Sequence, residues 1–147
     1  MKHLGLAALT ILASLLIACG GSSSNNTNVN GNWTASLTNV DGTPAFDFTI
    51  SLSQSSGTDV SGTNLTFSTS NACFVSGSTA TGGFTLTGNS GGVVTGNFEL
   101  TIQSGAPSGN VLTLQGTLTN NTISGTWSLT GVTQGCTGNG NFTMTRM

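Results

Sequence analysis

The sequence predicts an all-β domain, an antiparallel up-and-down meander that closes into an eight-stranded barrel, with a β-sandwich as the competing arrangement. Three observations carry this prediction. Beyond residue 30, apolar residues alternate with Thr, Ser and Asn in stretch after stretch, the period-two pattern of strands with one buried face. Gly- and Asn-rich breaks punctuate those stretches. No segment after Cys19 shows a helical period, and abundant Thr favours strand over helix.

Taken in order, the strands fall at 31–39, 45–54, 58–68, 79–88, 92–103, 110–119, 122–131 and 136–146. In the second, Phe46, Phe48, Ile50 and Leu52 share one parity, with Asp47, Thr49 and Ser51 between them; in the fifth, Val94, Gly96, Phe98, Leu100 and Ile102 repeat the pattern. Requiring both partners of a hairpin to face inward then sets the turn lengths. Leu52 opposite Val60 leaves Ser55-Ser56-Gly57, and Leu86 opposite Val94 leaves Asn89-Ser90-Gly91, each with Gly third, where such loops need a left-handed residue. Leu118 opposite Ile123 leaves Asn120-Asn121, a two-residue turn tolerant of positive φ. The remaining connections, 40–44, 69–78, 104–109 and 132–135, are longer on average, hold both prolines and lie together at the opposite end. Closure matters because no strand proline and no Lys protects an open edge here.

Lys2 and His3 precede an apolar run from Leu4 to Leu16, and small Ala18 stands before Cys19, so residues 1–18 read as a secretory signal peptide. That run is too short to span a bilayer comfortably. Leu16-Ile17-Ala18-Cys19 resembles the lipobox of bacterial lipoproteins. The resemblance implies cleavage after Ala18, diacylglycerol on the Cys19 sulfur and acylation of the new amino group, a membrane partner held through lipid. Gly20, rather than Asp, after the cysteine resembles proteobacterial sorting to the outer membrane. Residues 20–30 are Gly, Ser, Asn and Thr around a lone Val29, and with Cys19 they read as a lipidated flexible tether, 19–30, unable to bury apolar surface. Residues 31–147 have the size of one domain.

Removing residues 1–18 takes the only Lys and the only His. What remains is Arg146 against Asp41, Asp47, Asp59 and Glu99, a net charge of −3, without a single Tyr. General acid–base work uses His, carboxylates, Lys, Tyr or Cys, and a Ser or Cys nucleophile needs an adjacent base. The four acids are scattered singly, so we expect neither enzyme nor cofactor, and no metal site. One cation is a poor footprint for nucleic acid. A monomer is expected. In an exported chain, Cys73 and Cys136 most simply pair as a disulfide, closing a loop worth roughly 3 to 4 kcal/mol by chain entropy. Both lie at the long-loop end, where the bond would brace the mouth, whereas the tether enters at the short-turn end.

Gly31-Asn32-Trp33 opens the first strand and Arg146 ends the last, on one parity with Phe142 and Met144. This resembles the Gly-x-Trp and terminal Arg of the calycin group, the lipocalin- and avidin-like barrels. The resemblance implies that Arg146 packs over Trp33 at the closed end, a cation–π contact of about 1 kcal/mol. By the turn arithmetic Gly116 faces Gly125, Phe84 faces Gly96, and Phe98 faces Gly82. Two readings of these inward glycines stay open. They leave room for a small uncharged or apolar ligand, lined by Phe98, Trp127, Gly116 and Gly125 at the long-loop end. Alternatively, aromatics cover their bare backbone in a filled barrel, and the domain is a structural or interaction module contacting envelope protein or polysaccharide. A membrane-spanning barrel would carry aromatic girdles, for which two Trp and no Tyr are too few.

Overall fold

Each alternating stretch becomes a strand in the computed structural model, which describes residues 27–55, 57–68, 73–74, 78–104 and 109–147. The strands are β1 (Gly31–Asn39), β2 (Pro44–Gln54), β3 (Asp59–Phe67), β4 (Thr79–Ser90), β5 (Val93–Gln103), β6 (Val111–Thr119), β7 (Thr122–Thr130) and β8 (Gly138–Arg146). Every strand pairs antiparallel with its successor, and β8 returns to β1 with Trp33 opposite Arg146 and Leu37 opposite Phe142. The barrel is therefore closed, and the sandwich alternative falls. Closure pairs the edges of β1 and β8 that an open sheet would leave with unpaired backbone groups.

Inward residues form one core. Trp33, Ala35, Leu37, Phe48, Ile50, Leu100, Leu112, Leu114, Ile123 and Met144 are all buried, and the outward positions between them are Thr, Ser, Asn and a few others. Pro44 starts β2 one residue before the expected boundary, at a strand's first position, where its missing N–H is tolerated.

Two hairpin registers differ from expectation. In the first, Val60 lies opposite Gln54, and Leu52 opposite Gly62. The shift is two residues, so parity is kept and Val60 remains buried. Further along, Thr49 pairs with Thr66 and Ser51 with Thr63, so Asn64 and Leu65 stand against Ile50 alone. Asn64 takes φ 53°, a bulge that returns Leu65 and Phe67 to the core side. In the second hairpin, Ser90 pairs with Val93, leaving Gly91-Gly92 as a two-residue turn with φ 60° and 83°. Such a turn needs positive φ at both central positions, which two glycines supply without strain, so it displaces the Asn89-Ser90-Gly91 loop. The surplus residue is absorbed by an irregularity between Leu86 and Gly88. Consequently Phe84 faces Phe98, Gly82 faces Leu100 and Leu86 faces Gly96, which corrects the Phe84–Gly96 and Phe98–Gly82 pairs. The third hairpin has the expected Asn120-Asn121 turn, with Leu118 opposite Ile123 and Gly116 opposite Gly125.

Candidate functional site

The short-turn end is closed by residues far apart in sequence. Arg146 stands with its guanidinium carbon 4.6 Å from the centroid of Trp33, the contact that the calycin resemblance implies. The structure adds a task for both side chains. Arg146 Nη2 donates to the Asn28 carbonyl at 2.8 Å and Nη1 donates to that of Asn30, while Trp33 Nε1 donates to the Val29 carbonyl at 2.9 Å. Three consecutive carbonyls of the entering chain are thus held from the barrel. Gln54 completes the grip: its Oε1 accepts from Val29 N–H, and its own N–H donates to Asn30 Oδ1. Val29 is fully buried.

The tether therefore does not run free to Asn30. A polar stretch would otherwise stay solvated, but the fixed donors of Trp33 and Arg146 satisfy its carbonyls and open an apolar seat for the single valine. Burial lowers the pKa of Arg146 from its ordinary value, since the charged form loses water. Its Nε is buried without a partner among the described residues. Residues 1–26, including the signal peptide, Cys19 and the first part of the tether, lie outside the described residues.

Inside the barrel, the spaces that strand glycines leave are taken by neighbouring side chains. A Cβ on Gly96 would fall within the Phe84 ring, and one on Gly62 within the Ile50 side chain. At Gly116 it would stand 2.9 Å from Phe142, and at Gly138 3.0 Å from Trp127. Gly125, opposite Gly116, faces backbone so closely that a Cβ would overlap the Gln115 carbonyl. Phe98 and Trp127 are themselves buried, 3% and 4% exposed. The structure brings Gly116, Gly125 and Phe98 together on adjacent strands, where neighbouring side chains and backbone occupy the spaces beside the two glycines.

The long-loop end is braced instead of sealed by strands. Cys73 and Cys136 form the expected disulfide, with Cα atoms 5.5 Å apart. Beside them lies a residue that sequence reasoning passed over. Asn110 is fully buried, and its Nδ2 donates to the Cys73 carbonyl at 2.8 Å and to Thr133 Oγ1 at 3.2 Å, while Oδ1 accepts from Thr133 N–H at 3.4 Å. One amide thus joins the β3–β4, β5–β6 and β7–β8 connections. Its only signal in the sequence is an Asn at the edge of a strand, which reads equally well as a turn residue.

A mouth depression of about 240 Å³ opens here, lined by Asn39, Phe46, Cys73, Trp127, Leu129 and Thr137. Phe46 and Trp127 meet edge to face at 5.6 Å, and the Trp127 indole N–H already donates to the Thr38 carbonyl at 2.8 Å. Small-molecule sites commonly hold about 300 to 1,000 Å³, so this one suits only a small guest. A further depression of about 550 Å³ lies along β4–β6 beside Thr58, Gly83 and Glu99, and its lining includes Phe98 and Gly116, two of the residues expected to line a ligand site.

Asp41, in the β1–β2 connection, accepts from Thr43 Oγ1 at 2.6 Å and Thr43 N–H at 3.0 Å. These two bonds, the hydroxyl's first, hold its carboxyl below the usual carboxylate range. Among the described residues no three His, Cys, Asp or Glu side chains are grouped to hold a metal ion. The closed eight-stranded antiparallel barrel is consistent with a calycin-like fold. Comparison with protein-family models, with curated proteins and with solved structures finds no match to this chain.

Proposed function

We propose that this chain is an exported lipoprotein of the bacterial envelope, held by acyl chains on Cys19 in the outer membrane, with a filled, non-enzymatic barrel that acts as a structural or interaction module. The observation that carries the choice of module over ligand carrier is the occupancy of the glycine spaces by Phe84, Phe142, Trp127 and Ile50. A carrier would leave that volume open. The uncharged Thr, Ser and Asn exterior suits a protein surface or a neutral envelope polysaccharide better than any polyelectrolyte. The lack of His and Lys beyond residue 18 supports the non-enzymatic reading.

Mass spectrometry of protein taken from membranes tests this. Acyl mass on Cys19 and no co-purifying small molecule are expected, and Cys19→Ala should release a folded domain to the soluble fraction. A variant that still partitions with membranes would refute the anchor, and a bound lipid-like species would refute the filled core. Cross-linking in intact cells that recovers only monomer would count against the interaction role.

The mouth depression favours a second reading, in which a small uncharged guest sits over Phe46 and Trp127. Its signature is a ligand-dependent shift of the Trp127 indole resonance with that of Trp33 unmoved.

A further inference from the structure

Leu86 is a core-parity residue that the described residues leave partly uncovered. Ala80 and Phe84, on the same alternation of β4, are buried, yet Leu86 is 43% exposed. The cause is the length of β3, which pairs with β4 only from Ala80 to Gly83; the last bond on that side is Phe84 N–H to the Thr58 carbonyl. Among the described residues, β4 from Thr85 to Ser90 pairs with β5 alone. The β4–β5 hairpin therefore projects past β3 with part of its inner face bare. Val93 at its tip is 41% exposed, and Met147, at the same end across the barrel, is 69% exposed. Charge is sparse at this end. Asp59 stands there with Glu99 across Gly83 from it, and Arg146 is occupied by the carbonyls of Asn28 and Asn30.

This is also the end where the chain leaves the barrel. The grip on Asn28–Asn30 places the exit there, and eight residues separate Asn28 from Cys19. Whatever their conformation, they span at most about 30 Å. A linker that short holds its ends together at an effective concentration on the order of millimolar, so even weak contacts with the lipid surface are populated. Exposed apolar side chains on a rim poor in charge match a neutral bilayer interface, where apolar area is buried at little cost in desolvated charge. Val40 and Val132 are exposed too, but they crown the far end.

We infer that the short-turn end is a bilayer-facing surface, with Leu86, Val93 and Met147 resting on the membrane that holds the Cys19 lipid. The inference rests on the anchoring reading above. It deepens it: the barrel stands on its closed end and presents the disulfide-braced mouth outward.

The test uses the chain from Cys19 onward with Cys73–Cys136 oxidised, so that Cys19 is the single free thiol. It is coupled to a maleimide lipid in neutral phosphatidylcholine vesicles, and hydrogen–deuterium exchange is compared with the thiol-capped free chain. Amides of the β4–β5 hairpin around Leu86–Val94 should exchange about threefold or more slowly on vesicles, with 40–43 and 131–135 unchanged. The doubly substituted Leu86→Ser, Val93→Ser chain should lose that protection while its exchange elsewhere stays native. Equal exchange at the hairpin in the two states, or protection at the far end instead, would overturn the inference and leave anchoring untouched. Absence of acyl mass on Cys19 in cells would overturn the anchoring, and this surface's occupant with it.

Discussion

Replacing Asn110 with Ala isolates the contribution of one buried amide to the mouth of the barrel. The side chain is fully buried and makes two donations and one acceptance across three connections. Losing the bond to the Cys73 carbonyl, in a buried setting, costs about 1 to 2 kcal/mol, and the two bonds to half-buried Thr133 add about 1 kcal/mol because water partly replaces them. The sum is about 2 to 3 kcal/mol. For a domain of this size it lowers Tm by roughly 8 to 12 °C. Urea unfolding followed by tryptophan emission reads it as a shift in midpoint at constant m.

Two double variants make the reasoning specific. Thr133→Val in the Asn110→Ala background should cost clearly less than alone, with a coupling of about 0.5 to 1.5 kcal/mol. Gly131→Ala should be severe in the native chain, because its Cβ would overlap Asn110 Oδ1, and milder once Asn110 is Ala, although the Cys136 carbonyl at 3.0 Å still crowds it. An Asn110→Ala chain within about 0.5 kcal/mol of the native one, or additive double variants, would refute the keystone role.

Three further outcomes follow from the same geometry. Gly82→Ala should destabilise by about 2 kcal/mol or more, since its Cβ would overlap the Glu99 carbonyl, whereas Gly83→Ala, whose nearest neighbour is the Thr58 carbonyl at 3.5 Å, should be neutral or stabilise by about 0.5 kcal/mol; thermal unfolding of the two decides. Arg146→Met keeps the stem over Trp33 but drops the cation–π contact and both carbonyl bonds. It should cost about 1 to 2 kcal/mol and speed exchange of the Val29 amide, measured by NMR. Asp41 should titrate below its ordinary value of 3.8, and Thr43→Val should move it back up. A depressed carboxyl favours the folded loop above its unfolded pKa, and that advantage is lost as pH falls through the folded value, so ordering of the β1–β2 connection should weaken only in the acid range.

Where one turn signal stood alone, the register was legible. Asn120-Asn121 admits a single inward-facing solution, and Gly116 meets Gly125 as expected. Where two signals overlapped, as in Asn89-Ser90-Gly91-Gly92, the glycine pair prevailed because both of its positions accept positive φ, and a bulge absorbed the remainder. Bulges leave no trace in alternation until both flanking strands are known. The Trp33–Arg146 contact was visible as a resemblance; that the same two side chains clasp Asn28–Asn30 was not, because a lone Val29 in a polar stretch has no period to read.

The sequence by itself determined the strand number, the inward faces, the pairing of Cys73 with Cys136 and the two unlike ends, because these depend on local period, turn chemistry and cysteine count. Only the tertiary structure decided closure, the filling of the glycine spaces, the burial of Val29 and the central place of Asn110. Those depend on which atoms meet across strands and connections distant in the chain. Alternation tells a residue which way to face, and it says nothing of what it finds there.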